Sequence, residues 1–312
     1  MMKNHPLHHG VCIEVKQIGI ACRLDKENAL DLTGKIIDYL MKKDVKLVLE
    51  NRIAQRFQRF LPKKDLRQMN KGQMKAIISV GGDGTILRVA QNLPRKNPAP
   101  VFGINLGDSV GFLDECDLYT DKLYDALDKL INNEFYIERT MRLATYHRQS
   151  RFPDALNEIY LVSAKPSKVL HVNIKIDGEF FTMAHVDGLI ISTTVGSTAY
   201  SLSAGGALLD PRLHLIQIVP VNPFARTSIR PVIVPATSQI EIELIRPKLN
   251  ALIVVDGQHD YRIYPKNTIR IQKSESDLEF IRLSPNFHGN FYNKLQKKIL
   301  VGLKLPEDSP EE

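Results

Sequence analysis

The residues Gly81-Gly82-Asp83-Gly84-Thr85 stand between two segments of different texture. Before them runs Ala76-Ile77-Ile78-Ser79-Val80, short, apolar and β-branched, which predicts a buried strand. After them Ile86-Leu87-Arg88-Val89-Ala90-Gln91 starts a helical pattern. A strand, a glycine turn and a helix N-terminus together make a seat for phosphate. Glycine lets backbone N–H groups approach an anion closely. The first helical turn adds free N–H groups and the positive end of the helix dipole. Asp83 conflicts with that seat. A carboxylate repels phosphate unless a metal ion lies between them or it takes up a proton, so Asp83 points to chemistry. The plain alternative is a strand-to-helix corner capped by Asp and Thr.

A second chemical stretch opens at Asp187-Gly188 and runs into Ser192-Thr193-Thr194-Val195-Gly196-Ser197-Thr198-Ala199-Tyr200-Ser201-Leu202-Ser203-Ala204-Gly205-Gly206. Small residues let backbone approach a ligand, hydroxyls supply donors and acceptors, and Tyr200 supplies a flat face. The run is too long and too rich in small residues for a plain connector. Asn157-Glu158 precedes the apolar stretch Ile159 to Val162. An adjacent amide and carboxylate can grip vicinal ribose hydroxyls or an adenine edge, but taken alone the pair reads first as an exposed loop. Asp256-Gly257-Gln258 is a hairpin signal first and a ligand contact second.

The elements that must position these residues fall into two textures. Lys16 to Cys22 reads as a strand and Lys26 to Lys42 as a helix, with Ala29, Leu32, Ile36, Ile37 and Leu40 at helical spacing. Val45 to Leu49 reads as the next strand. This βαβ opening predicts a parallel sheet covered by helices. Pro100 to Ile104 is a further strand, followed by the glycine-bearing loop Asn105 to Leu113, and Leu118 to Asn132 is an amphipathic helix. Ligands of open α/β sheets bind beyond the carboxyl ends of the strands, so the two glycine loops are expected to share one crevice.

From Phe135 the pattern turns to short β runs: Leu156 to Val162, Val169 to Ile176, Leu189 to Thr193, Leu215 to Val219, Ile240 to Ile245, Ala251 to Val255, Thr268 to Gln272 and Phe280 to Leu283. Asp177-Gly178 and Asp256-Gly257 mark turns between them. Asn290 to Val301 restores a helical period, and Pro306 to Glu312 reads as a frayed acidic end. The expected division is an α/β domain over 1–134, an all-β domain over 135–284, and a helix and tail over 285–312.

Length and composition set the bounds. The chain has 312 residues, enough for two domains, and its 43% hydrophobic and 25% charged content is that of a soluble globular protein. No apolar run reaches membrane-spanning length and no signal peptide opens the chain, so no membrane role is expected. The three cysteines, Cys12, Cys22 and Cys116, have no CxxC spacing and suit a reducing, cytoplasmic compartment. His5, His8 and His9 lie in a polar leading tail that reads as disordered. The net charge of +7 favours anionic partners. Arg52 to Lys75 is strongly basic, but only Phe57 and Phe60 could stack on bases. A solvated face that attracts polyphosphates is therefore preferred to a nucleic-acid patch.

Taken in order, Gly81 to Thr85, Asn105 to Leu113, Asn157-Glu158, Asp187 to Gly206 and Asp256 to Gln258 resemble the motifs of NAD kinases over nearly the whole chain. The first loop is shared with lipid kinases and phosphofructokinases; the run ending GSTAYSLSAGG, paired with Asn-Glu upstream, is far more specific. The resemblance implies a Rossmann-like N-terminal domain with a parallel sheet, an all-β NAD-binding domain, and a C-terminal helix packing back on the first domain. It implies transfer of the γ-phosphate of ATP to the 2′-hydroxyl of the adenosine ribose of NAD. Asp83 would be the catalytic carboxylate, and Gly82, Gly84 and Thr85 would cradle phosphates. Asn157, Glu158, Asp187, Thr198, Ala199, Tyr200, Ser201, Leu202 and Ser203 would line the NAD pocket with Asp83 and Gly84, and Gln258 would lie near it. Lys168 and His185 match ligand-contact positions. A divalent cation, Mg²⁺, would accompany ATP, no residue of the chain is assigned to it, and a homodimer or homotetramer is expected.

Three departures from the family pattern stand out. Asp108-Ser109-Val110 lengthens the Asn105 to Leu113 loop by one residue and replaces a leucine. Thr194-Val195 replaces Pro-Thr before Gly196. Phe224 replaces a histidine. They bear on donor choice, NADH use and regulation, and leave Asp83 and the Tyr200 region intact. The competing readings are a lipid or sugar kinase built on the same glycine loop and a non-catalytic NAD(P)-binding sensor. A dehydrogenase is disfavoured, because no GxGxxG follows the first strand.

Overall fold

The computed structural model describes residues 16–57, 60–107, 110–115, 120–165, 168–224, 229–245, 250–265 and 268–303. His5, His8, His9, Cys12, Arg59, Asp108, Ser109, Cys116 and the tail from Pro306 lie outside the described residues. The first half runs β1 (Gln17–Cys22), α1 (Glu27–Lys42), β2 (Leu47–Glu50), α2 (Asn51–Ala54), β3 (Lys63–Lys64), β4 (Met74–Val80), α3 (Asp83–Asn92), β5 (Val101–Ile104) and α4 (Thr120–Asn132). Then come β6 (Tyr136–Thr140), β7 (Leu143–His147), β8 (Ser150–Arg151), β9 (Glu158–Ser163), β10 (Leu170–Ile176), β11 (Glu179–Val186) and β12 (Gly188–Thr193). After α5 (Tyr200–Ser203) follow β13 (Leu215–Val221), β14 (Val232–Pro235), β15 (Ile240–Leu244), β16 (Ala251–Val255), β17 (His259–Ile263), β18 (Thr268–Lys273), β19 (Leu278–Arg282) and α6 (Phe291–Leu303).

The first sheet has the order β3-β2-β1-β4-β5-β19-β6 and is parallel except for β6. Its central strands read as unbroken apolar runs because both faces are covered. Leu32, Ile36 and Leu40 of α1 and Leu123 and Leu127 of α4 pack on one face, while Ile86 and Val89 of α3 pack on the other. The chain adds strands outward from β1 in one direction and outward from β4 in the other. The carboxyl ends of β1 and β4 therefore flank the point where the winding reverses, where a crevice opens in such sheets.

The remaining strands form two antiparallel six-stranded sheets, β11-β10-β15-β18-β7-β8 and β14-β13-β12-β9-β16-β17. They share one core: Val172, Ile174, Ile242 and Ile271 of one sheet meet Leu161, Ile191, Ile218 and Ile253 of the other. This is the face-to-face packing of a β-sandwich.

Two strands from beyond Phe135 complete the first sheet rather than the sandwich. β19 lies parallel to β5, and β6 lies antiparallel to β19. A strand pattern reveals a strand but not its neighbour. β19 is buried along its whole length, as an interior strand must be. α6 returns to the start of the fold: its Lys294 Nζ donates to the carbonyl of Asp114 at 2.8 Å. Its Lys298 Nζ donates to the carbonyl of Thr198 at 2.9 Å, so the helix ties the first domain to the hydroxyl-rich turn. No described helix is long and apolar enough to cross a membrane.

Candidate active site

The glycine loop is tied to the neighbouring strand. Gly81 N–H donates to the carbonyl of Ile104 at 2.9 Å, and a side chain at Gly81 would strike Thr85. Gly82, in extended conformation, caps α3, and Thr85 N–H donates to its carbonyl at 2.8 Å. A side chain at Gly84 would meet only open space. That space is a cavity of about 410 Å³ lined by Gly82, Gly84, Arg23, Asp25, Arg52, Arg88 and Gln258. Arg23 follows β1, Arg52 follows the end of β2 and Arg88 is on α3, so three guanidinium groups from three elements line the cavity beside the loop. Arg88 is held by a fork onto Glu50, 2.9 Å at Oε2. Arg23 is paired with Asp25, a further lining residue, at 2.8 Å, so with Arg52 and Arg88 the wall keeps an excess of guanidinium groups, and with the glycine backbone it suits a polyphosphate.

Asp83, first residue of α3, reaches the loop after β5. Its Oδ2 accepts from Phe112 N–H and its Oδ1 from Leu113 N–H, both at 3.0 Å. That loop folds back on its strand, with Glu115 N–H donating to the carbonyl of Gly103 at 3.0 Å. Phe112 and Leu113 line a second, small cavity of about 100 Å³, together with Thr198, Arg282, Phe291 and Lys294. Asp83 therefore links two spaces: its glycine neighbours line one, and the residues it holds line the other.

The second domain assembles around a buried carboxyl. Asp256 Oδ1 accepts from the N–H groups of Asn157 (2.8 Å) and Glu158 (3.0 Å), and Oδ2 from that of Leu156 (2.8 Å). Gln91 Nε2 of α3 donates to the carbonyl of Val255 at 2.9 Å and to Asp256 at 3.3 Å, locking the glycine-loop helix to the same turn. Burial raises the Asp256 carboxyl, and its backbone donors oppose that rise. Thr193 Oγ1 donates to the carbonyl of Leu156 at 2.7 Å and accepts from Gly196 N–H at 3.0 Å. Gly196 lies so close to the backbone of Asn157 that no side chain fits between them. Glu158 is buried, and burial followed by the charge of Asp256 pushes its carboxyl from 4.5 up to about 8, against a hydrogen bond from the Tyr200 backbone.

The structure gathers most of the residues singled out in the sequence. Gly82, Gly84, Thr85 and Gln258 line the first cavity. Asn157, Glu158, Thr198 and Ala199 lie where β9 meets the turn after β12. Tyr200 is 41% exposed and packs edge-on against Tyr160 at 5.1 Å. Burial first, then Tyr200 and Asp187, hold the Tyr160 hydroxyl well above its usual range, so Asp187 belongs to this group. Asp187 also accepts from Asn222 Nδ2 at 3.1 Å. Ser201 is fully buried and its hydroxyl accepts from Gln217 at 2.9 Å; Leu202 is half-buried and Ser203 exposed. Lys168 precedes β10 and lines neither cavity, and His185 is on the edge strand β11, where its ring lies 3.9 Å from that of His171.

Sequence reasoning missed the residues that hold the others: Thr193, Asp256 as an anchor, Gln91, and Arg23 as a cavity wall. Asp256 carried a signal, a carboxylate at a turn with positive φ (47°) followed by Gly257 (65°), but its long-range partners did not.

Residues 18–135 match the family model for the ATP-NAD kinase N-terminal domain, and residues 156–283 match that for the ATP-NAD kinase C-terminal domain. The chain belongs to the ATP-NAD kinase family. It is 35% identical over 287 residues to the NAD kinase of Methanothermobacter thermautotrophicus, covering 92% of this chain and 97% of that one. It is 35% identical over 283 residues to the NAD kinase of Pyrococcus abyssi, covering 90% and 99%. Among solved structures it is similar to an NAD kinase from Archaeoglobus fulgidus in complex with ATP, with TM-score 0.69, 28% identity and coverage of 90% and 98%. Yeast NADH kinase complexed with NADH, at TM-score 0.78 and 22% identity over 96% and 91%, shares the fold. In this ATP-NAD kinase family member the two matched segments contribute to both cavities beside Asp83.

Proposed function

We propose that this chain phosphorylates the 2′-hydroxyl of the adenosine ribose of NAD with ATP, yielding NADP and ADP. The observation that carries the reading is that Asp83 links a glycine- and arginine-lined cavity, through its glycine neighbours, to a second cavity lined by Phe112, Leu113, Val195 and Thr198. In this reading the triphosphate lies against Gly82, Gly84 and Thr85, where backbone N–H groups and Arg23, Arg52 and Arg88 offset its charge. Asn157, Glu158, Asp187 and the turn Thr198 to Ser203 hold the dinucleotide, with Lys168 and His185 as outer contacts. A ribose hydroxyl is a weak nucleophile until a base takes its proton. Each Asp83 oxygen accepts one backbone N–H and has a further lone pair for that proton. The oxygen attacks the γ-phosphorus, the bond to the β-phosphate oxygen breaks, and the proton rests on Asp83.

Phosphoryl transfer needs positioning and charge neutralisation, which Mg²⁺ supplies with bound ATP. In this reading the ion comes with the triphosphate, bound to its oxygens and to water. A cytoplasmic location and a homo-oligomer complete the proposal. Support for the latter is the edge strand β11, which exposes Phe180, Phe181 and Met183; light scattering tests it. The decisive assay incubates the protein with ATP, Mg²⁺ and NAD and measures NADP. NAD binding without turnover would favour a sensor, and neither binding nor turnover would end the reading.

A further inference from the structure

Asp114, directly after the loop that Asp83 holds, is 3% exposed, yet neither of its carboxyl oxygens has a hydrogen-bond donor. Its space is made by two glycines. A side chain at Gly111 would run into Asp114 Oδ2, and one at Gly103 would lie 3.0 Å from Oδ1. Asp83 lies beside this carboxyl, because its own carboxyl accepts the N–H groups of Phe112 and Leu113, the two residues just before Asp114. The cations facing it are committed elsewhere. Lys294 of α6 donates to the backbone carbonyl of Asp114, not to its carboxyl. Arg282 of β19 donates to Glu138 at 2.6 Å, to the carbonyl of Leu113 at 3.0 Å and to Glu115 at 3.3 Å. A buried carboxylate with no donor is costly, and two neighbouring carboxyl groups do not both ionise readily. A single proton between them resolves both problems.

We propose that Asp114 is a positioning residue for phosphoryl transfer: as the neutral acid it donates its O–H to the Asp83 carboxylate, fixing the orientation of that group and favouring its charged form. Asp83 then has backbone donors from Phe112 and Leu113 and an acid donor from Asp114. Burial, followed by the negative charge of Asp83, raises the Asp114 carboxyl well above the usual carboxylate range, against Lys294 and Arg282. The catalytic half of the proposal rests on the reading of Asp83 as the base; the shared proton does not.

The test compares wild type with Asp114→Asn and Asp114→Val. At pH 7 the infrared difference spectrum between wild type and Asp114→Asn should contain the carbonyl stretch of a protonated carboxylic acid. Its absence means Asp114 is ionised and overturns the proposal. In kinetics, Asp114→Val loses the donor. Its kcat should fall about tenfold to a hundredfold, and the acidic limb of its pH profile should move up by about one unit, the scale of a lost hydrogen bond to a charged group. Asp114→Asn retains an N–H donor and should lose less activity, with a smaller displacement of that limb. Equal losses in the two folded variants, or an acidic limb that stays in place in Asp114→Val, would overturn the positioning role. Should Asp114→Val fail to fold, the infrared comparison still decides the shared proton and the limb in Asp114→Asn still tests the role. A wild-type rate in Asp83→Asn removes Asp83 as base, and with it the positioning role, whereas the infrared band reports the shared proton independently.

Discussion

Leu113 N–H donates to Asp83 Oδ1 at 3.0 Å, so the residue read as the base is also the clasp of the loop after β5. Phe112 makes the matching bond to Oδ2. Sequence alone makes Asp83→Asn look shape-conserving, but the structure gives it a second effect. An amide offers one acceptor to two backbone donors, and its NH₂ must face an N–H group. General-base loss should lower kcat by roughly 10²–10⁴. The unsatisfied donor should cost about 1–3 kcal/mol and lower the melting temperature. Both changes are expected in one variant, read by kcat, NAD affinity and thermal midpoint. A variant that makes NADP at the wild-type rate would remove Asp83 from the chemistry.

Asp256→Asn tests whether the NAD side of the site is held from behind. Asn can still accept from Asn157 and Glu158, but its NH₂ then confronts Leu156 N–H and Gln91 Nε2. The expected cost is about 1–3 kcal/mol of stability. NAD affinity should weaken more than ATP affinity, because Asn157-Glu158 loses its support. Calorimetry that finds both affinities equal to wild type in a folded variant would contradict this arrangement.

The basic stretch divides differently in space than along the chain. Lys63 and Lys64 form the edge strand β3, and Lys64 donates to Gln17 and Gln73. Arg52 lines the glycine-loop cavity. Arg52→Ser should therefore raise the KM for ATP by roughly 1.5- to 5-fold, corresponding to about 0.2–1 kcal/mol for an exposed charge. The effect should shrink at high salt, where screening acts over about 10 Å at 0.1 M. An unchanged KM at low salt would show that Arg52 does not meet the donor.

The strands legible in the sequence were those with neighbours on both sides. β1, β2, β4, β5, β9, β10, β12, β13, β15, β16, β18 and β19 all announce themselves as apolar or alternating runs. The six that end the three sheets, β3, β6, β8, β11, β14 and β17, did not, and neither did β7. Edge strands carry charges, proline and exposed aromatics, as in Lys63-Lys64, Pro235 and Phe180, because burial does not dictate their composition. The site followed the same logic. Gly81 to Thr85 and the Thr198 to Ser203 turn are local patterns and could be read. The bonds from Asp83 to Leu113, and from Asp256 to residues 156–158, span about a hundred positions or join separate loops, and no local pattern encodes them.

Glu158 gives the fold a pH dependence with a definite sign. In the folded protein its carboxyl titrates near 8, against 4.5 ordinarily, because burial and the charge of Asp256 disfavour ionisation. Between those values the folded state keeps a proton that the unfolded state has released. The unfolded state then binds fewer protons, so stability falls as pH rises through this window, by at most about 1.4 kcal/mol per unit, and is flat below and above it. Glu158→Gln mimics the neutral form and removes this dependence. Asp114 and Asp256 are raised too and act in the same direction, so the informative quantity is the difference between wild type and variant. Denaturant unfolding from pH 5 to 8.5 without nucleotide should find Glu158→Gln gaining on wild type as pH rises. Parallel stability curves for the two proteins would mean that Glu158 does not retain its proton in the fold.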